Sequence, residues 1–295
     1  MKNIFSHKPY IVASLYQFLK FKNYKNYKQK LIKMCDDQKL KGSILIAEEG
    51  INATLAGKKE GINKIIKYLY DLGFNNLQYK EFPVQILPFL QMKIKIKKEI
   101  VTSGNKNIDP NKEVGNYIEA KNWNKLILNP NTILIDTRND YEIEIGSFKN
   151  AINPNIRTFY DFRKFIKKNL SSKKEKPIAM YCTGGIRCEK STSYMKSQGF
   201  KQLYHLKGGI LNYLKKIPKK DSLWKGECFV FDRRISLNKK LEKGEYTICN
   251  ACRNPVKIED KLSSLYQIGI SCTQCYIHKN KHQKLRAQKK QNQRL

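Results

Sequence analysis

The stretch Cys182-Thr183-Gly184-Gly185-Ile186-Arg187-Cys188 constrains the fold more than any other part of the chain. It follows a short apolar run, Pro177 to Tyr181, and leads into a polar segment with helical spacing, so it reads as a glycine-rich turn from a strand into a helix. Such a turn aims successive backbone N–H groups inward at a helix N-terminus and forms an anion cradle. A sulfur at its centre is stabilised as thiolate, and Arg187 adds a fixed positive charge. Cys182 is therefore the candidate nucleophile with Arg187 beside it, and Thr183, Gly184, Gly185, Ile186 and Cys188 complete the loop. The plainer reading, a small buried cysteine in a tight turn, stays open at this point. Cys188, on the helix after the loop, is either packed or placed to resolve a persulfide as its disulfide partner.

Loop length narrows the chemistry. Four residues, Thr183 to Ile186, separate Cys182 from Arg187. Cysteine phosphatases place one more residue there, which suits a phosphate group, so the smaller ring suits a sulfur atom or a small oxyanion. The loop resembles the active loop of rhodaneses, in which the cysteine carries a persulfide, and that resemblance, not the spacing, implies a persulfide here.

A chain of 295 residues with 40% hydrophobic content is long for one core and suits two domains plus a small appendage. Four of the eight cysteines fall in paired Cys-x-x-Cys spacing and a fifth is the candidate nucleophile, so they read as metal and catalytic thiols, not a disulfide framework. A reducing cytoplasm is the expected compartment. No apolar run reaches membrane-spanning length, so no membrane partner is expected. The net charge of +33, from 58 Lys and Arg against 25 Asp and Glu, points to a polyanionic partner, nucleic acid first. Abundant Lys, Asn and Ile also suggest an AT-rich genome, but that bias alone does not explain so large an excess of base over acid.

Along the chain, Tyr10 to Phe18 reads as a strand and Asn23 to Gln38 as a helix with apolar positions Tyr24, Tyr27, Leu31 and Met34. Strands at Lys41 to Ala47 and Ala53 to Ala56 flank a turn, and a helix follows over Gly61 to Leu72. Asn76 to Glu81 and Gln91 to Lys98 supply further strands. Strand, helix, strand, strand, helix, strand is the order of a ferredoxin-like unit, here placed at residues 1–101, whose helices cover one sheet face and leave the other available. A Gly, Asn and Lys linker, Thr102 to Val114, ends it.

Thereafter Tyr117 to Leu128 reads as a helix and Thr132 to Ile135 as a buried strand running into Asp136 and Arg138. At a strand's C-terminal end this pair either braces the active loop from behind or forms a structural salt bridge. A helix over Tyr160 to Leu170, the Cys182 strand and loop, a helix over Glu189 to Gln198, a strand at Gln202 to Leu206 and the turn Lys207-Gly208-Gly209 follow. Alternating strands and helices argue a parallel sheet covered on both faces. Ile135-Asp136-Thr137-Arg138, the Cys182 loop and Leu206-Lys207-Gly208-Gly209-Ile210 stand in the order of a single rhodanese domain over 115–217, which they resemble. One departure is Ser147, where many rhodaneses carry histidine.

Cys249, Cys252, Cys272 and Cys275 form two Cys-x-x-Cys knuckles nineteen residues apart, zinc-ribbon spacing in which four thiolates close one tetrahedral ion. Structural zinc would hold the segment 218–277, which is too small to build its own core. A redox dithiol usually needs only one such pair. The tail 278–295 carries seven Lys or Arg and no acid, and suits phosphate contacts without sequence readout.

Taken whole, the chain resembles the tRNA uridine(34) hydroxylases. The match is carried by Ile44-Leu45-Ile46-Ala47-Glu48-Glu49-Gly50-Ile51-Asn52-Ala53-Thr54, the Cys182 loop through Lys190, Lys225-Gly226-Glu227-Cys228-Phe229-Val230-Phe231-Asp232-Arg233-Arg234, and the paired cysteines. The resemblance implies oxygen-dependent conversion of the wobble uridine of tRNA to 5-hydroxyuridine, with Cys182 essential and the anticodon loop as partner. Molecular oxygen would be co-substrate, with an electron donor that the sequence does not name. Four histidines, no two-His-one-carboxylate cluster in evidence and no dinucleotide fingerprint leave no flavin or haem motif. A persulfide-forming sulfurtransferase is the alternative activity.

Overall fold

The computed structural model describes residues 9–105 and 108–293. Strand β1 (Tyr10–Phe18), helix α1 (Lys28–Asp37), strands β2 (Lys41–Ala47) and β3 (Gly50–Gly57), helix α2 (Lys59–Asp71) and strand β4 (Gln78–Val84) make the ferredoxin-like unit, and β5 (Met92–Ile96) adds an edge parallel to β2. The sheet order is β4-β1-β3-β2-β5. One face carries Ala13, Leu15, Ile44, Ile46, Ala53, Leu55 and Ile94 and packs on Leu31, Ile62, Ile65 and Leu69 of the two helices. The predicted helix over 23–38 divides into a tight turn, Tyr24–Tyr27, and α1. Strand β3 begins at Gly50, ahead of the expected Ala53, because it pairs with β2 down to Ala47–Gly50 across a two-residue hairpin.

The second sheet face is only partly free, which corrects the expectation of an open face. Cross-strand register puts Ser14, Thr54, Ser43 and Lys93 in one row and Tyr16, Asn52, Leu45 and Lys95 in the next. At the β1 end Tyr16 and Phe18 are buried with Ile100 and Ile186, against the next domain. At the β5 end Lys93 and Lys95 stay exposed. A sheet with two apolar faces buries both, and the polar row marks where the cover stops.

The second domain has β6 (Asn116–Ile118), α3 (Ala120–Ile127), β7 (Ile133–Asp136), α4 (Asp140–Ile143), β8 (Gly146–Phe148), α5 (Phe162–Asn169), β9 (Ile178–Tyr181), α6 (Ile186–Ser197), β10 (Leu203–Leu206) and α7 (Gly209–Lys216). Strands β6-β10-β9-β7 form a parallel sheet. Asn116 to Ile118 corrects the predicted helix start: these residues pair with β10, and the helix begins only at Ala120. Two clusters, around Trp123, Phe148 and Trp224 and around Phe162, Met180 and Met195, cover the sheet.

Short antiparallel pieces follow: β11 (Trp224–Gly226), which pairs with β8, then β12 (Cys228–Phe229), β13 (Ser236–Leu237), β14 (Tyr246–Ile248) and β15 (Pro255–Lys257). The chain closes with α8 (Lys281–Asn292), started by an Asn280–Gln283 capping box. Among the described residues no helix is long and apolar enough to cross a membrane.

Candidate active site

Strand β9 ends at Tyr181, and the chain turns through Cys182 to Gly185 before α6 begins at Ile186. Gly185 has φ of 112°, which an L side chain rarely adopts, and a Cβ there would meet the Tyr16 hydroxyl. The Gly185 N–H donates to Cys182 Sγ at 3.1 Å. Behind the loop, the first turn of α7 acts as a seat: Ile210 N donates to the Cys182 carbonyl at 3.0 Å and Leu211 N to that of Thr183 at 3.3 Å. Gly209 is required there, since a Cβ would lie 2.4 Å from the Cys182 carbonyl oxygen.

Burial alone would raise the Cys182 pKa. The Cys188 thiol, the Arg187 charge and the N–H groups of Gly185 and Cys188 outweigh it and bring the thiol down to about 5. Cys182 is a thiolate at neutral pH. Cys188 is the opposite case: burial and the neighbouring sulfur push its thiol up, and Thr137 Oγ1 lies 3.6 Å from its sulfur.

Cys182 is fully buried, as the plainer reading of the sequence allowed. The loop residues Thr183, Gly184 and Ile186 are partly exposed, and nothing lies within 4 Å of where a Cβ on Gly184 would stand. Cys182 thus packs in the second domain's cluster with Ile135, Met180 and Cys188, while the loop has open space at Gly184. Arg187 is held in place as well. Its guanidinium forms a two-pronged ion pair with Glu142, at 2.6 and 2.9 Å, and reaches Thr183 Oγ1 at 3.5 Å.

Glu142 is a residue that sequence reasoning missed. It is the N3 residue of a capping box opened by Asn139, and the same carboxylate that accepts the Asn139 N–H takes Arg187. Asp136 and Arg138 stand behind it. They form a fully buried ion pair at 2.6 Å, and Arg138 also donates to the carbonyls of Glu142 and Gly146. The pair is a salt bridge, and it fixes the turn that carries Glu142. Ser147 hydrogen-bonds the Tyr181 hydroxyl at 2.9 Å, which packs the position where many rhodaneses carry histidine.

The N-terminal domain supplies a second missed set. Tyr16 donates to Glu189 at 2.6 Å, and Lys80 donates to the Gly184 carbonyl at 2.9 Å. Fully buried Lys190 binds Glu49 and Glu99 at 2.7 and 2.6 Å. Burial, with the Cys182 charge, holds Glu189 above the usual carboxylate range against hydrogen bonds from Tyr16 and Tyr117. Beside Lys80 a cleft of about 290 Å³ opens between β4 and α7, walled by Lys59, Lys80 and Lys215. A larger cleft of about 540 Å³, lined by Tyr24, Lys25, Lys97, Lys98 and Glu99, does not reach the loop.

Cys249, Cys252, Cys272 and Cys275 converge. Their sulfurs lie within 4.8 Å of one another, with Cys252–Cys272 and Cys272–Cys275 at 3.7 Å. Four thiolates about 2.3 Å from a tetrahedral ion stand roughly 3.8 Å apart, so the set fits a metal ion. Gln274 ties this segment to Glu144 of the second domain at 3.1 Å. Cys35 and Cys228 are buried, with burial pushing each thiol up to about 12.

A family profile described as UPF0176 acylphosphatase like domain matches residues 10–100, and one described as Rhodanese-like domain matches 111–216. A protein of Picosynechococcus sp. named tRNA uridine(34) hydroxylase is 49% identical over 269 residues, 91% of this chain and 90% of its own. Proteins of the same name from Rhizobium leguminosarum bv. trifolii and Sinorhizobium medicae are 47% and 49% identical, covering 97% and 90% of this chain and 93% and 85% of their own.

Proposed function

The chain belongs to the tRNA uridine(34) hydroxylase family, and on that premise we propose that it converts uridine at the wobble position of tRNA to 5-hydroxyuridine with Cys182 as the working sulfur. The observation that carries this reading is a cysteine kept as thiolate by the Cys188 thiol, the Arg187 charge and main-chain N–H groups, in a loop with open space at Gly184. The sulfur adds to C6 of uracil and raises electron density at C5, where oxygen enters. One atom of molecular oxygen replaces hydrogen at C5 and the other leaves as water, which takes two electrons from an external donor. Loss of the C5 proton and expulsion of the thiolate return the aromatic base.

The units 1–101, 115–217, 218–277 and 278–295 divide the work. Exposed Lys215 at the cleft beside β4, the exposed Lys93 and Lys95, and the cations of α8 favour the tRNA backbone around a splayed anticodon base. Asp136 and Arg138 act through the Glu142 turn, not on substrate. Cys249, Cys252, Cys272 and Cys275 would hold zinc, which when bound supplies a closed structural cross-link. A reducing cytoplasm suits both the free thiols and the tRNA.

The test is mass spectrometry of tRNA nucleosides from cells with and without the protein, grown with isotopically heavy oxygen gas. The expected result is 5-hydroxyuridine at position 34 that carries the heavy label and disappears with the gene. Unlabelled product, or product that persists without the protein, overturns the reading. A loss of thiolated nucleosides instead favours the sulfurtransferase.

A further inference from the structure

We propose that Lys80, reaching across from the N-terminal domain, is a positioning residue for the Cys182 sulfur: it holds the Gly184–Gly185 peptide so that the peptide's N–H points at the thiolate. The inference rests on the reading of Cys182 as the working sulfur. Lys80 Nζ donates to the carbonyl oxygen of Gly184 at 2.9 Å, and the N–H of Gly185 donates to Cys182 Sγ at 3.1 Å. These are the two ends of one peptide unit. Because the unit is planar, fixing its oxygen fixes the direction of its N–H.

This peptide needs an anchor more than most. It lies between two glycines, one at φ of 112° and the other with open space where a Cβ would be, so side-chain sterics do little to stop the plane from turning over. A cation at the oxygen also polarises the unit and strengthens the hydrogen bond at its other end. Lys80 itself forms no ion pair with a carboxylate among the described residues. It is partly exposed as a residue with its ammonium end turned inward, where burial lowers its pKa to about 8 against the attraction of Cys182 and Glu189. A lysine kept for surface solubility or for a salt bridge would not be placed so.

The rest of the domain contact keeps Lys80 in register. Tyr16 pins β1 to Glu189, and Lys190 pins α6 to Glu49, Glu99 and the Val101 carbonyl. The groups that act on Cys182 are Arg187, Cys188 and Glu189 from α6, Tyr16 from β1 and Lys80 from β4. Of these, Lys80 is the one that grips the loop backbone from the other domain.

The experiment is NMR on the full chain labelled in cysteine carbon and glycine nitrogen, comparing wild type with Lys80→Met and Lys80→Gln. The Cys182 Cβ signal, assigned from Cys182→Ser, is followed with pH, together with the Gly185 amide. The expected result is a Cys182 midpoint higher by about one pH unit or more in Lys80→Met, with the Gly185 amide proton moved upfield. In the tRNA assay, the acid limb of the same variant should move up equally. A wild-type midpoint and amide in Lys80→Met, or in Lys80→Gln should the first variant not fold, overturns the proposal. A raised midpoint with an unmoved Gly185 amide also overturns it, because Lys80 would then act through charge alone. No tRNA enters the NMR measurement, so its failure is distinct from a failure of the hydroxylase reading.

Discussion

Arg187 and Glu142 meet through two hydrogen bonds, 2.6 and 2.9 Å long, in a pocket where the carboxylate is fully buried. The guanidinium is therefore oriented by its partner and lends Cys182 its charge from a fixed place, while burial pushes the Glu142 carboxyl up and the Arg187 charge and hydrogen bonds bring it below its ordinary value. Removing one member of a buried pair strands the other. Glu142→Ala should cost about 3–5 kcal/mol in urea unfolding, and an unchanged midpoint and slope would show that the pair carries no weight.

The Cys182 thiol is depressed in the fold, from an ordinary value near 9 to about 5. Between those values the unfolded chain holds a proton that the folded chain has lost, so this group's contribution to stability is full above pH 9 and vanishes as pH falls through 5. The difference in stability between wild type and Cys182→Ser should accordingly rise with pH across that window. Hydroxylation should keep its rate down to about pH 6 and fall below it. An acid limb near pH 9 would contradict the thiolate.

One zinc ion per chain is expected from the four converging sulfurs. Chelation at neutral pH should release it and open the backbone amides of 246–276 to hydrogen exchange, while the amides of β1 and β9 remain protected. Metal analysis and exchange measured on one sample test both halves. Cys272→Ser should reproduce the opened segment without chelator.

Binding of tRNA should weaken steeply with salt, because a chain of net charge +33 displaces counterions from phosphates. Lys284 lies over the Tyr276 ring and serves packing, so it is best left in place. Changing Lys281, Arg286, Lys289 and Lys290 to Gln should lower affinity and reduce the salt slope by roughly 0.7–0.9 for each phosphate that the variant no longer neutralises. The rate at saturating tRNA should not change.

Much of this was written locally in the chain. The strands at Tyr10–Phe18 and Lys41–Ala47 follow from apolar runs bounded by turn residues, and the loop from Cys182 to Cys188 follows from glycines between a strand and a helix. What local pattern did not carry was pairing at long range. Tyr117 and Ile118 look like the start of a helix until β10, far along the chain, offers them a parallel edge. Lys80 lies among alternating residues of β4 and reads as a solvated lysine, and only the docking of that strand 104 residues away from Gly184 gives it a partner. The Asn139-x-x-Glu142 spacing was a visible signal for a capping box, and its second use, gripping Arg187, depends on the fold. The burial of Cys182 also comes from long-range packing: it lies in the second domain's own cluster with Ile135, Met180, Cys188 and Met195, which sequence order alone leaves unplaced.

The most direct measurement is the nucleoside mass spectrum of tRNA from a strain in which Cys182→Ala replaces the wild-type protein at matched abundance. The expected spectrum has unmodified uridine at position 34 and no 5-hydroxyuridine above the level of the deletion strain. Wild-type amounts of 5-hydroxyuridine in that strain would contradict the account.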